Sequence, residues 1–196
     1  MPLRNGPHGY GTVTKSLHWL TVVVLGVQFA VGYTMEADAV ARCDPGGEER
    51  SGGETTDAQE ERFDRLEDAC EARAGDGYDL SLGDGWSLVE LHVLLGLLVI
   101  GLGLVRVAWR ARTPLPPWAE TLTSTERALE SRLEKVLLAL LFVVPATGIL
   151  LVLGDDGWLP LHVAAHVAFF VTLALHVGLV LRRTVLRRDR LLQRML

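Results

Sequence analysis

The stretch LHVAAHVAFFVTLALHVGLVL at residues 161–181 decides the fold of this chain. It has no formally charged side chain over about 20 residues, which is the length that a helix needs to cross the hydrocarbon core of a bilayer. Three further stretches, at about residues 14–35, 88–109 and 133–153, have a similar length and are apolar on all sides. The sequence therefore predicts an all-α integral membrane protein built as a four-helix bundle.

Length and composition exclude several other classes of protein. A chain of 196 residues allows one domain, residues 1–196, with a small insertion. Its two cysteines exclude a Cys-ligated cluster. It contains no P-loop and no dinucleotide-binding fingerprint, and no nucleic-acid partner is expected.

Charged residues predict the orientation in the membrane. The tail at 182–196 carries six Arg and one Asp, and Arg106, Arg110 and Arg112 lie at the end of the second span. Because basic segments stay in the cytoplasm, both termini are predicted to be cytoplasmic. Residues 36–85 hold 16 acidic side chains and five Arg, so they are predicted to form an acidic extracytoplasmic insertion between helices 1 and 2.

The acidic insertion contains both cysteines. The topology places Cys43 and Cys70 in an oxidising compartment, and we predict a Cys43–Cys70 disulfide that stabilises the loop by about 3–4 kcal/mol. Two free thiols are the alternative. A short helix is predicted at 57–73 from the spacing of its apolar residues. The insertion is either a solvated lid or a docking surface for an extracytoplasmic protein.

Five histidines fall inside the apolar stretches: His18, His92, His162, His166 and His176. Ionisable groups are costly within a membrane and mark function. In the predicted topology His18 and His176 lie near the inner side, whereas His92 lies near the outer side with His162 or His166. Two levels of paired imidazoles are what two bis-His haems require. Helix–helix hydrogen bonding is the alternative role for each histidine, and zinc would need more ligands at each level.

Spacing along the fourth span favours His162 over His166. His162 and His176 are separated by about 21 Å of helix rise with about 40° of angular drift, so one helix face can present both. For His166 and His176 the rise is about 15 Å and the angle about 80°. We therefore predict His162 as the ligand, with His166 as a near-haem residue or the fallback ligand.

Gly96 and a group of arginines complete the predicted cofactor site. Gly96 follows His92 by four residues, so it lies on the same face and lets a flat ring approach. Bidentate guanidinium groups suit haem propionates, although anchoring of the inner membrane side is an equally good explanation for them. The arginines predicted at the inner rim are Arg106, Arg110, Arg182 and Arg183.

Six motifs, in this order and spacing, support a family resemblance. They are KSLHWL at 15–20, LHVLLG at 91–96, TPLPPW at 113–118, PATG at 145–148, the pair His162 and His176, and RDRLLQRM at 188–195. The chain resembles the bacterial cytochrome b561 family, four-helix di-haem membrane cytochromes related to the b-type cytochrome subunits of hydrogenases. The resemblance covers nearly the whole chain apart from 36–85.

The resemblance implies which histidines ligate the haems, and this chain differs from its relatives at two positions. It implies that His18 and His176 ligate an inner haem b and that His92 and His162 ligate an outer one. Relatives can carry a histidine near the start of the third span, where this chain has Glu134. Some also carry one after the last ligand, where this chain has Arg183.

The function implied by the resemblance is electron transfer in the bacterial plasma membrane, between an extracytoplasmic donor or acceptor and the quinone pool. The family includes superoxide:quinone oxidoreductases, although an acidic insertion would not steer an anion such as superoxide to the outer face. One alternative is the haem-bearing anchor subunit of a larger dehydrogenase or hydrogenase. Another is a haem-free membrane scaffold.

Overall fold

Four long α-helices make up most of the chain. The computed structural model describes residues 2–6, 9–42, 59, 61–66, 87–118, 122–154 and 156–186. The helices are α1 (Thr12–Arg42), α2 (Leu88–Arg112), α3 (Ser124–Leu153) and α4 (Leu159–Leu186), and a short 3-10 turn, Asp156–Trp158, lies between α3 and α4. The described residues form no strand, so the prediction of an all-α chain is confirmed.

Each helix contains a segment that is long and apolar enough to cross a membrane. Large apolar side chains stay exposed on these helices, among them Val23 (61% exposed), Leu104 (59%) and Val171 (56%). Lipid can cover such side chains, and a helix satisfies its own backbone polar groups without water. The prediction of four spanning helices is confirmed. The segments are Thr12–Met35, Leu88–Arg112, Ser124–Leu153 and Leu159–Val185.

The helices run further than their apolar stretches predict. α1 continues past residue 35 to Arg42, into the stretch predicted as the insertion. α3 begins at Ser124 rather than near Leu133, because Thr123 and Glu126 form a capping box. The Thr123 hydroxyl accepts the Glu126 N–H at 3.3 Å, and a Glu126 carboxylate oxygen accepts the Thr123 N–H at 3.1 Å. These terminal turns are polar and do not raise the hydropathy, so the predicted helices were too short.

Little of the predicted insertion is described. Residues 61–66 are helical, within the helix predicted at 57–73, and Arg65 pairs with Glu61 one turn earlier at 2.9 Å. Cys43 and Cys70 lie outside the described residues. Their disulfide stays a prediction.

The chain divides into two compact units. The larger unit comprises residues 1–26 and 95–196, and the smaller unit comprises residues 27–94. In the larger unit, α3 and α4 are closely packed neighbours. Its apolar core joins α1, α2 and α3 through four buried side chains: Val24, Val99, Leu102 and Leu141.

Removing the cap of α3 should destabilise the protein measurably. We expect Thr123→Ala to lower the free energy of unfolding by about 1 kcal/mol, because the Glu126 N–H loses its acceptor. Thr125→Ala is the matched control, since Thr125 lies one residue into the helix and is not the cap. The measurement is unfolding of the purified protein in detergent, and equal stabilities of the two variants would contradict the capping role.

Candidate functional site

A cavity of about 170 Å³ lies inside the larger unit and is lined by all four helices. Each helix contributes residues spaced three or four apart, which is the spacing of one helix face. On α1 these include His18, Thr21 and Leu25, and on α4 they include Phe169 and His176. The fold thus brings two of the predicted ligands, His18 and His176, to one cavity from two different helices.

The end of this cavity where α1 begins and α2 ends is polar. Arg106, Arg110 and Glu134 line it, and Arg110 Nη2 lies 3.3 Å from Glu134 Oε2. The Trp109 indole N–H donates to the Thr14 hydroxyl at 3.0 Å. The cavity therefore has apolar walls and a charged end, which matches a large apolar ring with carboxylate substituents.

Asn5, which lines the polar end of the cavity, holds the N-terminal segment in place by three hydrogen bonds. Its Oδ1 accepts the Gly11 N–H at 2.9 Å and the Thr14 hydroxyl at 2.8 Å. Its Nδ2 donates to the Pro114 carbonyl at 3.1 Å. One side chain thus joins the start of α1 to the segment that follows α2.

A second ion pair lies one turn from Glu134, towards the start of α3. Arg183 of α4 is 3% exposed, and its Nη1 donates to Glu130. Arg183 Nε and Nη2 are also buried, without a hydrogen-bond partner among the described residues. The guanidinium group that was predicted at the inner rim is therefore held inside the protein by a carboxylate on α3.

His162 lies near the start of α4, and its ring packs closely against α3. It is 9% exposed, and its Nδ1 lies 2.9 Å from the Thr147 hydroxyl. A Cβ on Gly148 would lie 3.0 Å from His162 Cε1, so only glycine leaves the ring its full space. The half-buried His166 ring lies against the His162 ring in a tilted arrangement, with the centroids 4.3 Å apart and the planes at 58°.

His92 belongs to the smaller unit and contacts α1. Its Nε2 is 3.1 Å from Gln28 Nε2, and its ring lies so near Gly32 that a Cβ there would come within 2.8 Å of Cε1. Gly96, one turn further along α2, is buried. The pairing of His92 with His162 stays a prediction.

The donor set fits haem better than a protein-ligated metal. His18 and His176 supply two imidazoles to one cavity, as axial ligation of a haem iron requires. Among the described residues no group of three or more His, Cys, Asp or Glu could hold a metal ion. A metal bound here would need most of its ligands from elsewhere, and a porphyrin supplies four.

Comparison with known proteins decides the family. The family model for prokaryotic cytochrome b561 matches residues 9–196. The chain belongs to the prokaryotic cytochrome b561 family. No curated protein and no solved structure gives a significant match. The family binds haem b, and this cytochrome is a multi-pass membrane protein that serves in electron transfer.

Sequence reasoning missed three polar residues of this cytochrome that contact predicted site residues. Thr147 contacts His162, Gln28 contacts His92, and Glu130 pairs with Arg183. All three are polar residues in helices with a membrane-spanning segment, and that was the available signal. Their partners depend on how the helices pack, which spacing along one helix does not specify.

Breaking the Arg183–Glu130 pair should destabilise the cytochrome strongly. Arg183→Met leaves a largely buried carboxylate without its partner, and we expect it to cost about 3–5 kcal/mol. Arg182→Met is the control, because Arg182 is exposed on the same turn, and its expected effect is within about 0.5 kcal/mol. Both values come from unfolding in detergent.

The double variant Arg183→Met/Glu130→Leu shows whether Arg183→Met destabilises the protein by breaking the ion pair or by losing packing contacts. It removes both charges, so it should recover part of the stability lost in Arg183→Met. A double variant less stable than Arg183→Met would show that the two side chains do not act as a pair.

Proposed function

We propose that this cytochrome holds two haem b groups and passes electrons across the membrane between an extracytoplasmic donor and the quinone pool. The observation that carries the proposal is the placement of His18 and His176 on different helices around one cavity with an arginine-bearing end. Family membership supports haem b as the group that these imidazoles bind.

In the proposed inner site the chain supplies ligands and countercharge. His18 and His176 would hold the haem iron, and the apolar faces of the four helices would exclude water from it. Arg106 and Arg110 lie at the polar end, where they can balance propionate charge, and Glu134 orients Arg110 through their ion pair. A bound haem b accepts and releases one electron at a time.

The proposed outer site uses His92 and His162. His162 and His176 are 14 positions apart on α4, which corresponds to about 21 Å of helix rise, so the two sites would lie at different depths. His162 is buried against α3, whereas His92 packs against Gly32 of α1. Each ring has neighbours on another helix, and these contacts would keep a haem ligand in one orientation.

The proposed orientation puts the arginine-bearing end in the cytoplasm of a bacterial cell. Arg112 at the end of α2 and Arg182 near the end of α4 are exposed, which suits contact with anionic headgroups. The acidic stretch at 36–85 follows the opposite end of the first spanning segment, so it lies outside in the proposed orientation. A partner protein or a small donor would then meet this side.

The proposed acceptor is a membrane quinone. Reduction to the quinol takes two electrons and two protons, so two successive single-electron deliveries are needed for each quinone. With superoxide as the donor, two superoxide anions give two electrons and leave as two molecules of oxygen.

Haem content of histidine variants tests the ligand sets. The purified cytochrome should show b-type bands in a reduced-minus-oxidised spectrum and two haems per chain. Replacing His18 or His176 by Leu should remove one haem, and replacing His92 or His162 should remove the other. His166→Leu is the control and should keep both. Absence of b-type bands from the wild type, or full haem content after the double change His18→Leu/His92→Leu, would refute the proposal.

A reconstituted assay tests the electron partners. The purified cytochrome in liposomes containing a quinone should reduce it when superoxide is generated outside, and the His18→Leu variant should not. If the wild type fails in this assay but copurifies with a dehydrogenase or hydrogenase subunit, the chain is the anchor subunit of that enzyme and the free-standing oxidoreductase is refuted.

A further inference from the structure

Thr147 makes two short contacts inside the larger unit. Its hydroxyl oxygen lies 2.7 Å from the Val144 carbonyl oxygen, three residues earlier on α3, and 2.9 Å from Nδ1 of His162 on α4. Thr147 is 6% exposed and His162 is 9% exposed, so water does not compete for either contact. The threonine therefore connects the α3 backbone to the imidazole.

Counting hydrogens assigns the proton on the imidazole. A hydroxyl has one hydrogen to donate, and a carbonyl oxygen can only accept. The Thr147 hydrogen therefore goes to Val144, and the same oxygen accepts a hydrogen from His162 Nδ1. In a neutral imidazole with the hydrogen on Nδ1, the lone pair is on Nε2. Nε2 is then the nitrogen that is ready to bind a metal.

Gly148 sets the position of the same ring from the next residue. Because a Cβ there would lie 3.0 Å from His162 Cε1, the ring rests almost against the backbone of α3. The hydrogen bond limits rotation of the ring, and the close backbone limits its displacement. Two adjacent residues, Thr147 and Gly148, thus define how His162 is oriented.

We infer that Thr147 is the positioning residue for the outer haem: it fixes His162 as the Nδ1–H tautomer and so presents Nε2 to the iron. This inference rests on the proposed function, in which His162 is an axial ligand. An acceptor on the distal N–H makes a ligating imidazole more basic, and such second-shell bonds tune affinity and potential.

The test replaces the hydroxyl without changing the shape of the side chain. In Thr147→Val the acceptor for Nδ1–H is lost, so the outer haem should bind about 10–100-fold more weakly. Its midpoint potential should become more positive, because a less basic imidazole stabilises the ferric state less. Thr147→Ser keeps the hydroxyl and should restore both values. The measurements are haem titration of the apoprotein and a redox titration of the loaded protein.

Thr172→Val is the matched control. The Thr172 hydroxyl donates to the Ala168 carbonyl at 2.7 Å, so this variant loses the same kind of backbone contact without an imidazole partner. It should leave both haem potentials unchanged. In every variant the inner haem, on His18 and His176, reports whether the protein has folded. A merely structural role for Thr147 would lower stability in Thr147→Val without moving the outer potential.

The outcomes separate the inference from the proposed function. A wild type without b-type haem refutes the proposed function. A wild type with two haems, together with a Thr147→Val variant whose outer haem has wild-type affinity and potential, overturns the inference alone. If Thr147→Val yields no folded protein, Thr147→Ala decides the same point, because it removes the same hydroxyl without adding a second branch. An outer haem with wild-type affinity and potential in Thr147→Ala would then overturn the inference.

Discussion

Glu130 and Glu134 lie one turn apart on α3, and each meets an arginine from a different helix. Glu134 faces Arg110 of α2, and Glu130 faces Arg183 of α4. Lipid offers no partner to a carboxylate, so these charges are compatible with the membrane only while the helices stay together. The two ion pairs therefore hold α2 and α4 to α3 at the end where the cavity is polar. The positions of His18 and His176 around that cavity depend on this arrangement.

Glu134 and Arg183, the two positions at which this chain departs from the family it resembles, both belong to these ion pairs. Relatives can carry histidine where this chain has Glu134 and Arg183, and here both positions form interhelical ion pairs. Arg110, which was predicted to meet a propionate, is already shared with Glu134. The ion pairs at this end are features of this chain, whereas its histidine ligands stay a prediction.

The sequence was sufficient for the features that depend on one helix at a time. Apolar stretches of about 20 residues predicted the four spans, and depth along them predicted His18 and His176 at the same level, where both line one cavity. It was insufficient where two helices determine the result. Thr147 is one of several threonines in apolar helices, and only packing of α4 on α3 brings it to His162. The start of α3 was missed for a different reason, because Thr123 and Glu126 stabilise a helix end by hydrogen bonds and not by burial.

The continuation of α1 to Arg42 affects where the first acidic side chains lie relative to the apolar segment. The apolar segment of α1 ends at Met35, and the helix goes on without interruption. Seven further residues of helix add about 10 Å along the axis. Glu36 and Asp38 are part of this extension, so negative charge begins where the apolar segment ends and continues along the helix axis. Within about one Debye length of the apolar segment, this charge is available to a cationic group on a soluble molecule.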